Sequence, residues 1–257
     1  TEIYTLSLHD ALPIFEKTPV DGDFDQWWNG IQQLQNNYPG SRFCFIYGEP
    51  FSFLNLVSWM GMISQKDKVD CVSNIINTYD MVKKYFINPK NLILTASYHP
   101  HYWANIDVFY KEIEKICSLG VNLNTVFLLG YPPYIQHLNE WESYFKNRNL
   151  RVFTNAFYGE FKNNKYPSGY TEEEKSIVLG NNFGNDVINV QTKGRICNAG
   201  KDVVFIKWNG DVTSCYGSKF YSLGNILTNK IILFDKPMPC LNDTCDCPDM
   251  FVNYLID

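Results

Sequence analysis

Long apolar runs are missing from this sequence, in which nothing approaches the roughly 20 consecutive apolar residues a helix needs to cross a bilayer. A positively charged start followed by an apolar stretch and a small-residue cleavage site is missing too. Basic excess is the third absence. Lys and Arg number 22 against 27 Asp and Glu, a formal charge of -5, and no basic stripe offers itself to a phosphate backbone. Together these exclude a membrane-crossing helix and argue against a dedicated nucleic-acid binder, so the expected partners include neither membrane nor nucleic acid. Internal repeats, low-complexity tracts and Pro/Ser-rich linkers are also lacking. The expected setting is the cytoplasm, where thiols stay reduced and dense cysteines more often bind metal than form disulfides.

What is present is enough apolar residue, 45% of 257, to fill one large α/β domain or a domain with a small appendage. The first fourteen residues, TEIYTLSLHDALPI, resemble translated sequencing-adaptor sequence. They are set aside as a non-native leader (1–14), with the expectation that the natural start of the chain is missing; the alternative is a native N-terminal strand and turn.

Beyond the leader, short β-branched and aromatic runs alternate with segments of helical spacing. Strands are predicted at Arg42 to Tyr47, Lys68 to Asn74, Asn91 to Ser97, Asn124 to Gly130 and Arg151 to Phe157. Helices are predicted at Phe53 to Ile63, Thr78 to Tyr85 and Ile135 to Asn147. A further helix over DVFYKEIEKICSLG places Val108, Phe109, Ile113, Ile116, Cys117 and Leu119 on one side, with Gly120 as its stop. Such alternation implies a parallel sheet with covering helices, whose ligands gather beyond the C-terminal strand ends. From about Asn181 the rhythm changes to hairpins, with turn signals at Asn209-Gly210 and Leu223 to Asn225.

Five of the eight cysteines fall in that tail: Cys197, Cys215, and then Cys240, Cys245 and Cys247 within eight residues. A turn at Asn209-Gly210 would fold Cys215 back towards Cys197. Five thiols are one more than a four-ligand site needs, and thiolates suit zinc or an iron–sulfur cluster equally well. The two C-x2-C pairs of a zinc ribbon are lacking, which favours a cluster without excluding zinc. Cys44, Cys71 and Cys117 lie in the predicted strands or on an apolar helix face, as small core residues do.

The stretch CNAGKDVVFIKWNGDVTSCYGSKFYSLGNI, followed by PCLNDTCDC, resembles the SPASM or shorter twitch extension of radical SAM enzymes, where a C-x(9 to 15)-G-x4-C hairpin opens an auxiliary [4Fe-4S] site. Here the spacing is C-x12-G-x4-C. Upstream, FIYGEPF resembles the GGEP loop that receives the amino group of S-adenosylmethionine, with Tyr47 in place of the first glycine. Gly48 would permit close backbone approach, Glu49 would accept from the ammonium and Pro50 would fix the turn. In similar proteins the next strand ends, at Ser73-Asn74 and at SYHP (Ser97, His99), line the cofactor and substrate cavity. His99 alone reads equally as a hydrogen-bonded structural histidine.

The resemblance implies a partial TIM-like (β/α) barrel lacking its first strand over 15–180, and a cysteine-rich hairpin extension over 181–257. It also implies Cys197, Cys215, Cys240, Cys245 and Cys247 as cluster ligands, and Gly48, Glu49, Pro50, Asn74, Ser97 and His99 as cofactor-binding. A second [4Fe-4S] cluster would belong to the full-length enzyme, which would cleave S-adenosylmethionine to a deoxyadenosyl radical. That enzyme would modify a peptide or small-molecule substrate with help from an electron donor protein. The family holds its reactive cluster with C-x3-C-x2-C, which does not occur here, so this chain alone is expected to be inactive. The alternative is a non-catalytic binding module with a structural zinc site in its tail.

Overall fold

A computed structural model of the protein describes residues 23–46, 48–180, 191–215, 217–228 and 230–245, together with the backbone of 4–7 and 255–256. Tyr47 and Cys247 lie outside the described residues.

Strands β1 (Tyr4–Ser7), β2 (Arg42–Ile46), β3 (Lys68–Ser73), β4 (Leu92–Tyr98), β5 (Asn122–Gly130) and β6 (Val152–Ala156) lie side by side and parallel in sequence order. Helices cross between them: α1 (Phe24–Asn37), α2 (Leu54–Ile63), α3 (Thr78–Tyr85), α4 (Ile106–Ser118) and α5 (Leu138–Lys146). This is the expected partial (β/α) barrel. Its two sheet faces differ in burial. Val69, Cys71 and Ser73 pair in register with Leu92, Leu94 and Ala96, and all six are at most 2% exposed. On the opposite face Asp70, Val72, Ile93 and Ser97 are only half-buried. Alternation of this kind is what period-2 side chains produce when helices cover one face and the other is left concave and accessible.

The helices form for readable reasons. Asn105 caps α4 by accepting from the Val108 N–H at 3.0 Å, and Phe109, Ile113 and Ile116 at i, i+4, i+7 are its buried stripe. Val108, expected on that stripe, is 42% exposed, because one residue along a helix turns the side chain by about 100°. The helix expected from Ile135 instead begins as a 3-10 turn over Pro132–His137, since prolines supply no N–H to a regular ladder, and continues as α5. Between α4, α5 and the sheet, Tyr98 packs its ring 5.0 Å from both Phe109 and Trp141. Cys44 and Cys71 are buried, and Cys117 is half-buried against the same core.

Past β6 a small hairpin of β7 (Gly159–Phe161) and β8 (Asn164–Tyr166) leads to α6 (Glu172–Gly180). Tyr170 ties this segment to the barrel: its hydroxyl donates to the Gly130 carbonyl at 2.6 Å and accepts the Phe157 N–H at 2.7 Å.

The tail then adds β10 (Phe205–Lys207), β11 (Asp211–Thr213), β12 (Ser222–Asn225) and β13 (Lys230–Ile231) as antiparallel neighbours extending the main sheet. The expected turn at Asn209-Gly210 joins β10 to β11. β10 pairs parallel with β1, so the segment set aside as a leader contributes backbone to the sheet between β2 and the tail. Ladder hydrogen bonds are made by main-chain groups common to all residues, so side-chain pattern alone does not reveal this pairing. A second contact is independent of β1. α1 rests on the turn after β12, where a Cβ at Gly30 would come within 2.4 Å of Ile226 Cγ1. A separate three-stranded sheet holds β14 (Met238–Pro239), β9 (Ile196–Cys197) and β15 (Leu255–Ile256). Among the described residues no helix is long and apolar enough to cross a membrane.

Candidate metal centre and strand-end site

The tail cysteines enter from three pieces of chain. Cys197 ends β9 and faces Met238 of β14; Cys215 follows β11; Cys240 and Cys245 bracket the loop after β14. One open cavity is lined by all four, together with Thr192, Asn242 and Thr244. The four share this cavity, and the fifth tail cysteine, Cys247, falls outside the described residues. Among the described residues no three Cys, His, Asp or Glu side chains stand close enough to hold a single metal ion.

Burial raises the Cys197 thiol above its ordinary pKa and pushes Cys215 up to about 11, with neighbouring tail thiols adding to both shifts. Both are thus neutral thiols at pH 7 unless a cation displaces their protons. The surroundings nevertheless suit thiolate sulfur. The Ala199 N–H points at Cys197 Sγ (3.4 Å) and the Gly217 N–H at Cys215 Sγ (3.1 Å), and each lowers the pKa of its thiol. Asn242 Nδ2 reaches Cys215 Sγ at 3.6 Å, and the Cys240 thiol donates to Thr192 Oγ1 at 3.4 Å. Four thiols and a set of N–H donors directed at sulfur are a donor set that fits an iron–sulfur cluster.

Asn242 stands between Cys240 and Cys245 in CLNDTC. It is 5% exposed, and its amide bridges two loops: Nδ2 donates to the Lys219 carbonyl at 2.7 Å while Oδ1 accepts the Lys219 N–H at 2.8 Å. Its own carbonyl accepts from Thr192 Oγ1 at 3.0 Å, tying in a third. Gly217 makes room, since a Cβ there would sit 2.5 Å from Asn242 Nδ2. Its one signal in the sequence is a polar residue standing between two tail cysteines. At the rim Lys193 and Lys219 both pair with Asp243, at 2.8 and 3.4 Å.

At the barrel end, Gly48 takes φ +65 and lets the chain leave β2 in a left-handed step. Glu49 then caps the 3-10 turn Pro50–Ser52, with Pro50 buried. Its carboxylate accepts Ser73 Oγ at 2.8 Å, the Asn74 N–H at 2.7 Å and the Phe51 N–H at 3.2 Å. Burial still raises its pKa, outweighing the three donors. Ile75 beside it is fully buried at φ +60, a conformation costly for a β-branched residue, and its N–H bonds Ser73 Oγ at 2.9 Å. The expected residues Gly48, Glu49, Pro50 and Asn74 thus form one knot joining the ends of β2 and β3. Ser73, named with Asn74 at this strand end in the sequence, supplies the side-chain link to Glu49.

Ser97 and His99 form a second group at the end of β4, with Ser97 Oγ 3.0 Å from His99 Nε2. Burial, then His101, lowers the His99 pKa to about 4, so the ring is neutral at pH 7. Around it stand His101 and Tyr102; His101 in turn meets Tyr131, with Phe157 and Phe161 against Tyr131 at 4.9 and 5.3 Å. Both groups lie at C-terminal ends of parallel strands, as expected.

Residues 197–235 match the family model of SPASM, an iron–sulfur cluster-binding domain. A search of curated proteins finds no match. Among solved structures, one described as native anSMEcpe with bound AdoMet matches with a TM-score of 0.51 at 14% identity, over 80% of this chain and 68% of that one. The same protein with bound AdoMet and Cp18Cys peptide matches with a TM-score of 0.51 at 14% identity, over 79% and 69%. At such identities the likeness is one of fold.

Proposed function

We propose that this chain, a SPASM domain mounted on a radical-SAM-type half-barrel, is part of a radical SAM enzyme acting on a peptide or small-molecule substrate. The observation that carries the reading is the convergence of Cys197, Cys215, Cys240 and Cys245 on one cavity beside the sheet whose strand ends hold Glu49 and His99. These four cysteines would hold an auxiliary [4Fe-4S] cluster, which when bound can pass electrons to or from a neighbouring substrate. Zinc is redox-inert, and the tail lacks the two C-x2-C pairs of a zinc ribbon. That spacing favours the cluster over a zinc-bearing binding module.

At the barrel end, Glu49 has three of its roughly four acceptor directions used, leaving one for the ammonium of S-adenosylmethionine. An ammonium there would favour the charged carboxylate that burial disfavours. Asn74, Ser97 and neutral His99 supply further polar groups, and the Tyr131–Phe157–Phe161 rings give a stacking wall for substrate. The sequence given holds no C-x3-C-x2-C triplet, so a second, reactive cluster would need ligands from outside it. A cytoplasmic setting with a protein electron donor suits thiols that must stay reduced.

The test is anaerobic reconstitution with iron and sulfide, then assay of both. Near-stoichiometric iron and sulfide, lost in Cys197→Ala/Cys215→Ala, is the expected result. One zinc and no sulfide after careful reconstitution overturns the reading. S-adenosylmethionine should remain uncleaved by this chain; cleavage would overturn the assignment of the reactive ligands.

A further inference from the structure

We infer that Asn242 is a positioning residue for the auxiliary cluster, setting its reduction potential through the amide hydrogen bond to Cys215 and holding three ligand loops in register. The inference rests on the cluster reading above and adds a residue that is not itself a ligand.

Three observations support it. First, the amide is buried and fully engaged. Nδ2 reaches Cys215 Sγ (3.6 Å) and the Lys219 carbonyl (2.7 Å), while Oδ1 takes the Lys219 N–H (2.8 Å) and Ser218 Oγ (3.3 Å). Its orientation is therefore set by partners other than sulfur: Oδ1 has two donors, so only Nδ2 can face Cys215. Second, the main chain at Asn242 is fixed by Thr192 Oγ1 at 3.0 Å, with the Thr192 N–H bonding the next carbonyl, Asp243, at 3.0 Å. The loop between Cys240 and Cys245 is thereby stitched both to residues 192–195 leading into Cys197 and to residues 217–219 following Cys215. Third, Gly217 is shaped to the contact, because a Cβ there would overlap Asn242 Nδ2 at 2.5 Å.

The physical consequence has a definite sign. A hydrogen bond donated to cluster sulfur stabilises the more negative, reduced state and raises the potential. Removing the Asn242 donor should lower it, and Asn242→Asp should lower it further by adding negative charge beside the sulfur. Gly217→Ala, which displaces the amide without changing its chemistry, should move the potential in the same direction as Asn242→Ala.

The experiment uses the reconstituted chain. Iron and sulfide content of the wild type comes first: without them the cluster reading fails, whatever Asn242 does. With them, redox titration followed by electron paramagnetic resonance should show the reduction equilibrium of Asn242→Ala shifted by roughly tenfold, about 59 mV for one electron. Unchanged potentials in Asn242→Ala and Gly217→Ala at full iron content overturn the inference. If either variant loses its iron, the wild type decides alone. Protein labelled with 15N in the asparagine side-chain amide should show a nitrogen hyperfine coupling to the reduced cluster, and no coupling overturns the proposal.

Discussion

The strand ends of the barrel and the cysteine cavity of the tail solve opposite problems. At the barrel, polar groups are satisfied by one another: Glu49 has three donors from its own chain, and Ser97 bonds His99. At the tail, four thiols face a shared space, and burial holds Cys197 and Cys215 in the protonated form that binds no metal. Parallel strands fix the first site before any ligand arrives, because main-chain ladders hold their ends in register. The second is set by short strands and loops, stitched by Asn242 and Thr192, and a metal group would replace its protons. One region is preorganised, and the other is prepared to be completed.

The sharpest break of that contrast is removal of sulfur. Cys197→Ala/Cys215→Ala should abolish iron and sulfide uptake while leaving far-ultraviolet circular dichroism intact, since neither residue belongs to the barrel core cluster. Collapse of the barrel signal would show that the two regions are not separable.

Acid should act on the barrel end. His99 is held near pKa 4 against an ordinary 6.5, so protonation favours the unfolded chain. The stability it preserves is full above pH 6.5 and is lost as pH falls towards 4, by up to roughly 3 kcal/mol at 1.36 kcal/mol per unit. Urea denaturation across that window should show the slope, and His99→Gln should flatten it. An unchanged slope would remove the buried neutral histidine from the account.

Glu49→Ala leaves Ser73 Oγ and the Asn74 N–H without their acceptor and should cost about 2 kcal/mol in urea denaturation. Iron uptake at the tail should not change; a fall in it would couple the two sites. The smallest effect is a control remote from both. Asn105→Ala removes the α4 cap and should lower stability by about 1 kcal/mol with no effect on metal content.

How much of this the sequence held depends on the kind of interaction. Strands β2 to β6 and helices α2 to α4 stood within a few residues of their expected places, because period and punctuation are local. α1 was passed over although its signals were local too: an Asp23/Gln26 capping box and the i, i+4, i+7 spacing of Trp27, Ile31 and Leu34. That Cys197, Cys215, Cys240 and Cys245 share one cavity was foreshadowed by their density in the tail. Asn242 was not, and neither was the bond from Ser73 to Glu49, since each rests on partners more than twenty residues away. A strand in residues 4–7 was the alternative reading of the leader, but its partners β2 and β10 were not legible, because the pairing is made by backbone groups that carry no sequence signature.

The seat of Ile226 on Gly30 has a mechanical consequence. Ile226 is fully buried, and Val204, Ile206, Val212 and Leu223 join it in the same apolar core as the barrel helices. Swinging the tail away would therefore expose part of that core to water. The hairpin region is bolted to the barrel rather than hinged, so the span between its sulfurs and the strand ends is set when the chain folds, and a bulkier residue at position 30 would alter that span from the far side of the sheet.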